Sequence, residues 1–171
     1  LCQSVTSGNR LDILGVTEAV VAGALAVAAL NLAPGLLGGW IWYHADPVAA
    51  DRATGAFWVM LRVGQGSALT LAVAVGSLAA AGNYSSEHLF YLYALLPLAI
   101  AFVAEQLRVT SAQAILDQRG LPDARAVGAL PESEQRLIVA SVVRREVGVM
   151  AASALVVVFL ALRAAGTAHG F

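Results

Sequence analysis

VGQGSALTLAVAVGSLAAAG, residues 63–82, decides the fold: twenty consecutive residues without a formal charge. A helix of that length crosses the hydrocarbon of a bilayer, and the run is too apolar for a surface facing water. Gly64, Ala68, Ala72, Gly76 and Ala80 recur at every fourth position. Small residues in that pattern let a second backbone approach closely, which is how helices associate where lipid removes the hydrophobic drive. The stretch therefore predicts a span inside a packed helical bundle.

The composition agrees. The chain of 171 residues is 59% hydrophobic and 12% charged, with a mean hydropathy of +0.76, whereas soluble domains carry about a quarter charged residues. An all-α integral membrane protein in one domain is expected. All ten basic residues are arginine, and the arginine, alanine and glycine usage suggests a GC-rich bacterium. The net charge of -1 argues against nucleic acid, whose phosphates call for a basic face. The lone Cys2 excludes an internal disulfide and a cysteine-built metal site. No signal peptide is assigned.

Outward from residues 63–82, four helices are expected over about 11–44, 47–82, 86–119 and 132–166, with residues 1–10 a polar tail and 120–131 a long loop. Pro34, Gly35, Gly38 and Gly39 are expected to kink or interrupt the first helix, and Trp40, Trp42 and Tyr43 to mark a membrane interface. Asp46-Pro47 has the form of a helix start, Ser85 or Ser86 is placed to cap the third helix, and Pro97 is expected to bend it. The third and fourth helices change from apolar to amphipathic at Glu105 and Glu146, so both should project beyond the lipid. Arg52, Arg108, Arg119, Arg125, Arg136, Arg144 and Arg145 fall on one side, against Arg10 and Arg163 on the other. The positive-inside rule then makes the 120–131 loop cytoplasmic and puts both termini outside, in the inner membrane of a bacterium.

Residues 63–82 also have an echo. An offset of 84 aligns them without a gap on residues 147–166, with about nine identities, among them Gly64/Gly148, Ala68/Ala152, Val73/Val157 and Ala80/Ala164. Two spans rich in the same four residue types match often by composition alone. A true duplication would make the bundle two parallel hairpins related by an axis along the membrane normal.

The residues that could carry chemistry are few. Arg62, Gln65, Glu105, Arg108, Arg144, Arg145 and Glu146 come from three helices and are expected in one layer at the cytoplasmic edge of the lipid. Charges there pair, reach the headgroups or line water. A salt-bridge collar fixing helix register is favoured over a substrate or proton site. Glu18 and Arg163 form a second candidate near the outer surface, where a simple ion pair is favoured. His44, His88 and His169 fall at opposite ends of the bundle, so no haem or metal site is expected, and no nucleophile elbow, HExxH or phosphate loop is present. No catalytic residue and no cofactor is assigned.

Three functional classes follow: a non-catalytic subunit or accessory protein of a membrane assembly, a small-solute or ion transporter or channel working as an oligomer, and a lipid-facing enzyme or quinone or haem binder. The first is favoured, because packing surfaces are abundant and convergent polar groups are not. The expected partners are the bilayer itself and further copies of the chain or other membrane subunits.

Overall fold

The computed structural model describes residues 4–44, 51–82, 84–85, 87–121 and 124–168, with side chains described from Gly15 onward in the first helix and absent from the description at 51, 111, 112 and 124. The described residues form five helices: α1 (Ser4–His44), α2 (Asp51–Ala80), α3 (His88–Gln118), α4 (Ala124–Gly128) and α5 (Glu132–Thr167). Four of them, all but α4, are long and apolar enough to cross a membrane. They pack as an all-α bundle in which each long helix touches its neighbours in chain order and α5 closes back on α1.

The packing is uneven around that ring. The α1/α5 and α3/α5 faces are extensive, α1/α2 is intermediate, and α2/α3 is slight. The core lies in three layers. Val20, Ala24, Val75, Phe90, Ala94 and Ala164 fill the end near the 81–87 turn; Val27, Ala28, Ala68, Val157 and Ala161 fill the middle. Ile41, Phe57, Leu61, Ala104, Val147 and Met150 fill the end nearer the 119–131 connection, called the loop end below. Large residues such as Leu36, Val73, Phe102 and Phe159 face outward. In lipid this costs nothing, because the tails are as apolar as the side chains.

Residues 63–80 lie in α2, two short of the expected helix end, and their smooth face is used for half its length. Gly64, Ala68 and Ala72 are buried, whereas Gly76 and Ala80 are exposed. A step of four residues overshoots the 3.6-residue turn by about 40°, so a strict fourfold stripe winds off the contact face. The buried line instead runs Phe57, Leu61, Gly64, Ala68, Ala72, Val75, in mixed steps of three and four.

Several boundaries differ from the sequence expectation. α1 begins at Ser4, so residues 4–10 are helical rather than a tail. Once lipid imposes the helix downstream, each added residue gains a hydrogen bond at little nucleation cost, and no proline stops it. α1 also runs unbroken through Pro34 and the glycines. Gly35 and Gly38 allow close approach of α2 and α5. A Cβ on Gly38 would lie 2.5 Å from the Phe57 ring and 2.8 Å from Ala151 Cβ, and one on Gly35 would lie 2.7 Å from Leu155 Cδ2. α3 is likewise continuous through Pro97. α2 ends where Gly82 takes φ +86°, its amide donating to the Ala79 carbonyl. The N-cap of α3 is Glu87, which makes no side-chain cap bond; the Ser85 hydroxyl accepts from the Glu87 amide at 3.3 Å, and the Ser85 amide donates to the Tyr91 hydroxyl at 2.9 Å. The 120–131 connection holds the short helix α4, opened by the good helix formers Ala124, Arg125 and Ala126. Cys2, Asp46-Pro47, Ser86 and His169 lie outside the described residues.

Positions paired by the 84-residue offset occupy unlike environments. Ala68 is buried and Ala152 exposed, while Val73 and Ala80 are exposed and Val157 and Ala164 buried. A two-fold axis would also make α2/α3 equivalent to α5/α1, and these are the weakest and strongest faces of the ring.

One polar residue in mid-span was not anticipated as a contact. Asn31 is 2% exposed, and its amide donates to the Val27 carbonyl at 2.9 Å and across to the Gly64 carbonyl of α2 at 3.2 Å. A Cβ on Gly64 would lie 2.7 Å from Asn31 Oδ1, so glycine is what lets the amide reach the backbone. Asn31→Leu keeps the branched shape and loses both bonds. It should destabilise the bundle by about 1 kcal/mol, the scale of interhelical bonds in lipid, read as a lower SDS unfolding midpoint, while Ala29→Leu on the exposed face should leave the midpoint unchanged.

Candidate functional site

Near the loop end, α2, α3 and α5 bring five polar side chains into one connected cluster. Leu61 and Ala104 are buried in the core layer beside it, which turns Arg62 and Glu105, one residue further along each helix, toward the seam between α2 and α3. Arg62 Nη1 lies 2.6 Å from Glu105 Oε1 and 2.7 Å from Gln65 Oε1. Gln65 Nε2 reaches the same Glu105 oxygen at 3.5 Å. The other Glu105 oxygen is 3.4 Å from Arg108 Nη1, and Arg108 Nε is 4.0 Å from Glu146 Oε2 on α5. Arg108 also stacks over the Trp58 ring, 5.1 Å from its centroid. Charges therefore alternate, Arg62, Glu105, Arg108, Glu146, across three helices, and Glu105 is the hinge of the chain of contacts.

These contacts link four charges in a collar, with one division. Arg144 and Arg145 do not join it. Arg144 Nε donates to the Trp42 carbonyl at 2.9 Å, two residues from the end of α1, where the last carbonyls of a helix lack internal partners. Arg145 lines a groove between α1 and α5 with Trp42, Gly39 and Gly148. Residues 144, 145 and 146 share a depth but point about 100° apart around α5, so one sequence layer becomes two faces.

The second candidate pair is not formed. Among the described residues no ion pair joins Glu18 to Arg163. Arg163 instead lies over the Tyr93 ring of α3, 5.5 Å from its centroid, and Glu18 is exposed on α1. Arg163 turns to the α3 side of α5, away from the outward face that carries Glu18. A double-mutant cycle should find no coupling between Glu18 and Arg163, and about 0.5–1 kcal/mol between Tyr93 and Arg163.

His44 contacts Tyr43 and Trp40 at the end of α1, and His88 is exposed at the start of α3. Among the described residues no three His, Cys, Asp or Glu side chains gather closely enough to hold a metal ion. Two open cavities are lined by carbon. One, of about 510 Å³, runs between α1 and α2 past Val20, Gly23, Leu71 and Val75; its Ser67 and Thr70 hydroxyls donate to the Gly64 and Gly66 carbonyls. The other, of about 490 Å³, is the α1/α5 groove under Arg145. None of Arg62, Gln65, Glu105, Arg108 or Glu146 lines either one.

No family model, curated protein or solved structure matches the chain. Its four helices long and apolar enough to cross a bilayer are those of a multi-pass membrane protein.

Proposed function

We propose that the chain is a non-catalytic subunit or accessory protein of a membrane assembly, set in a bacterial plasma membrane with both termini outside. The observation that carries this reading is the pairing of the charged cluster across three helices, Arg62 with Glu105 and Arg108 with both Glu105 and Glu146, which fixes helix register in place of opening a pocket for a substrate. The arginine bias toward the loop end supports the orientation.

A docking surface is available at the same end. α1 stops at His44, close to Arg144, whereas α3 and α5 continue side by side to Gln118 and back to Glu132, with Ile115 and Ile138 buried in this extension. Leu137 and Val139 stay exposed there, beyond the lipid-facing part of the helix. Apolar residues presented to water on a paired-helix projection suit a protein partner. A transporter needs a wet path through the charged layer, and direct contacts among Arg62, Gln65 and Glu105 occupy that place.

Purification in mild detergent, followed by crosslinking and mass measurement, tests the proposal. Self-association or a copurifying membrane protein is expected, with Leu137→Glu and Val139→Glu together releasing it. A lone monomer in every mild detergent would overturn the reading. Solute flux in liposomes that is lost with Glu105→Gln would replace it by the transporter.

A further inference from the structure

The α1/α5 groove carries features of a site that the proposed role does not use. It runs along α5 from Arg145 to Leu155, walled by Trp42 and floored by Gly39, Gly148 and Ala152. Ten residues of helix make about 15 Å, which is the hydrocarbon depth of one leaflet. The groove is open toward the lipid, its volume of about 490 Å³ falls in the range of small-molecule sites, and its floor is kept low by design of the sequence. A Cβ on Gly148 would lie 2.7 Å from Trp42 Cδ1, so glycine there lets the indole lie across α5 and form the wall.

The polar end is cationic. Four arginines, Arg62, Arg108, Arg144 and Arg145, face two glutamates, Glu105 and Glu146, in this layer. Glu105 and Glu146 are taken up by Arg62 and Arg108, and Arg144 is bonded to the α1 terminus. Among the described residues no carboxylate pairs with Arg145. A guanidinium at the interface, beside a tryptophan and above an apolar trough one leaflet deep, matches a phosphodiester headgroup followed by an acyl chain.

We infer that this groove binds one anionic phospholipid, its phosphate on Arg145 and one acyl chain laid along Gly148, Ala152 and Leu155. The lipid comes from the leaflet at the loop end. The site is independent of whether the chain serves as a subunit or a transporter.

The test uses the full chain in nanodiscs of equal parts phosphatidylglycerol and phosphatidylcholine, released into the gas phase for native mass spectrometry. Retained phosphatidylglycerol is expected at one per chain. Arg145→Gln should lower the phosphatidylglycerol preference about fivefold, the scale of one basic residue at an anionic surface, and Arg125→Gln, remote in the loop, should not. Ala152→Leu, which fills the trough from its exposed side, should lower retention of the lipid while leaving helicity and elution volume intact. Preference unchanged in Arg145→Gln overturns the proposal. So does loss in Arg145→Gln with full retention in Ala152→Leu, since the charge would then act without the trough, and so does competition by free glycerol phosphate as strong as by whole lipid. A dimer dispersed by Ala152→Leu would assign the groove to a second copy of the chain and equally overturn it.

Discussion

Gly38→Leu is expected to abolish the folded bundle. Even the first added carbon would sit 2.5 Å from Phe57 Cε2 and 2.8 Å from Ala151 Cβ, and neither neighbour has room to yield. Phe57 is fully buried, and Ala151 is 3% exposed with its Cβ fixed to the α5 backbone. Overpacking of this kind costs about 1–3 kcal/mol for a single methylene or two, and leucine brings three carbons beyond the first. The loss should exceed about 3 kcal/mol, enough to remove the monodisperse fraction in detergent and to expose the chain to protease. Gly39→Leu is the matched comparison: nothing lies within 4 Å of its Cβ. That variant should purify with wild-type yield and unfold at the same SDS concentration. Equal loss in both would mean that helix propensity or expression, and not the α1/α2/α5 contact, governs the outcome.

Glu105→Lys should have the second largest effect. It places a third cation between Arg62 and Arg108, which now lie 2.6 and 3.4 Å from the two Glu105 oxygens. Two attractions become two repulsions at the edge of the lipid. The side chain is 30% exposed, so water and headgroups screen part of the field, and a net cost of about 2–4 kcal/mol is expected. Glu105→Gln, which keeps the shape and removes the charge, should cost about 1 kcal/mol. The decisive measurement is the charge swap. Glu105→Arg combined with Arg62→Glu should recover a large part of the stability lost by Glu105→Arg alone. A double variant no better than the single one would show that depth in the membrane, and not pairing, sets the cost.

Length and charge placement make the four spans legible, because a bilayer forbids unpaired backbone and leaves a helix as the one solution for an isolated apolar run. The same logic puts Arg62, Glu105, Arg108 and Glu146 at one depth, and the structure joins them. Azimuth is harder to read. Arg144 and Arg145 share that depth, yet which side of α5 they face depends on where Val147 and Met150 enter the core. The fourfold stripe in residues 63–82 failed beyond Ala72 for the same reason, since its period is not that of the helix. Asn31 offered a signal that was passed over: a lone amide in the middle of an apolar span must find a partner, and Gly64 stood as the smoothest place to find one. α1 is not interrupted at Pro34 and α3 is continuous through Pro97, because neighbouring helices hold a membrane helix together where its own ladder has a gap.

The unequal lengths of the helices have a consequence for what the aqueous phase meets first. α5 continues for twelve residues beyond Arg144, from Val143 back to Glu132, a rise of about 18 Å. The headgroup zone on each side of a bilayer is about 6 Å deep. With Arg144 at the lipid edge, as proposed above, α4 and its neighbouring turn stand about 10 Å clear of the phosphates, and a protein diffusing in solution would touch this mast-head before the membrane.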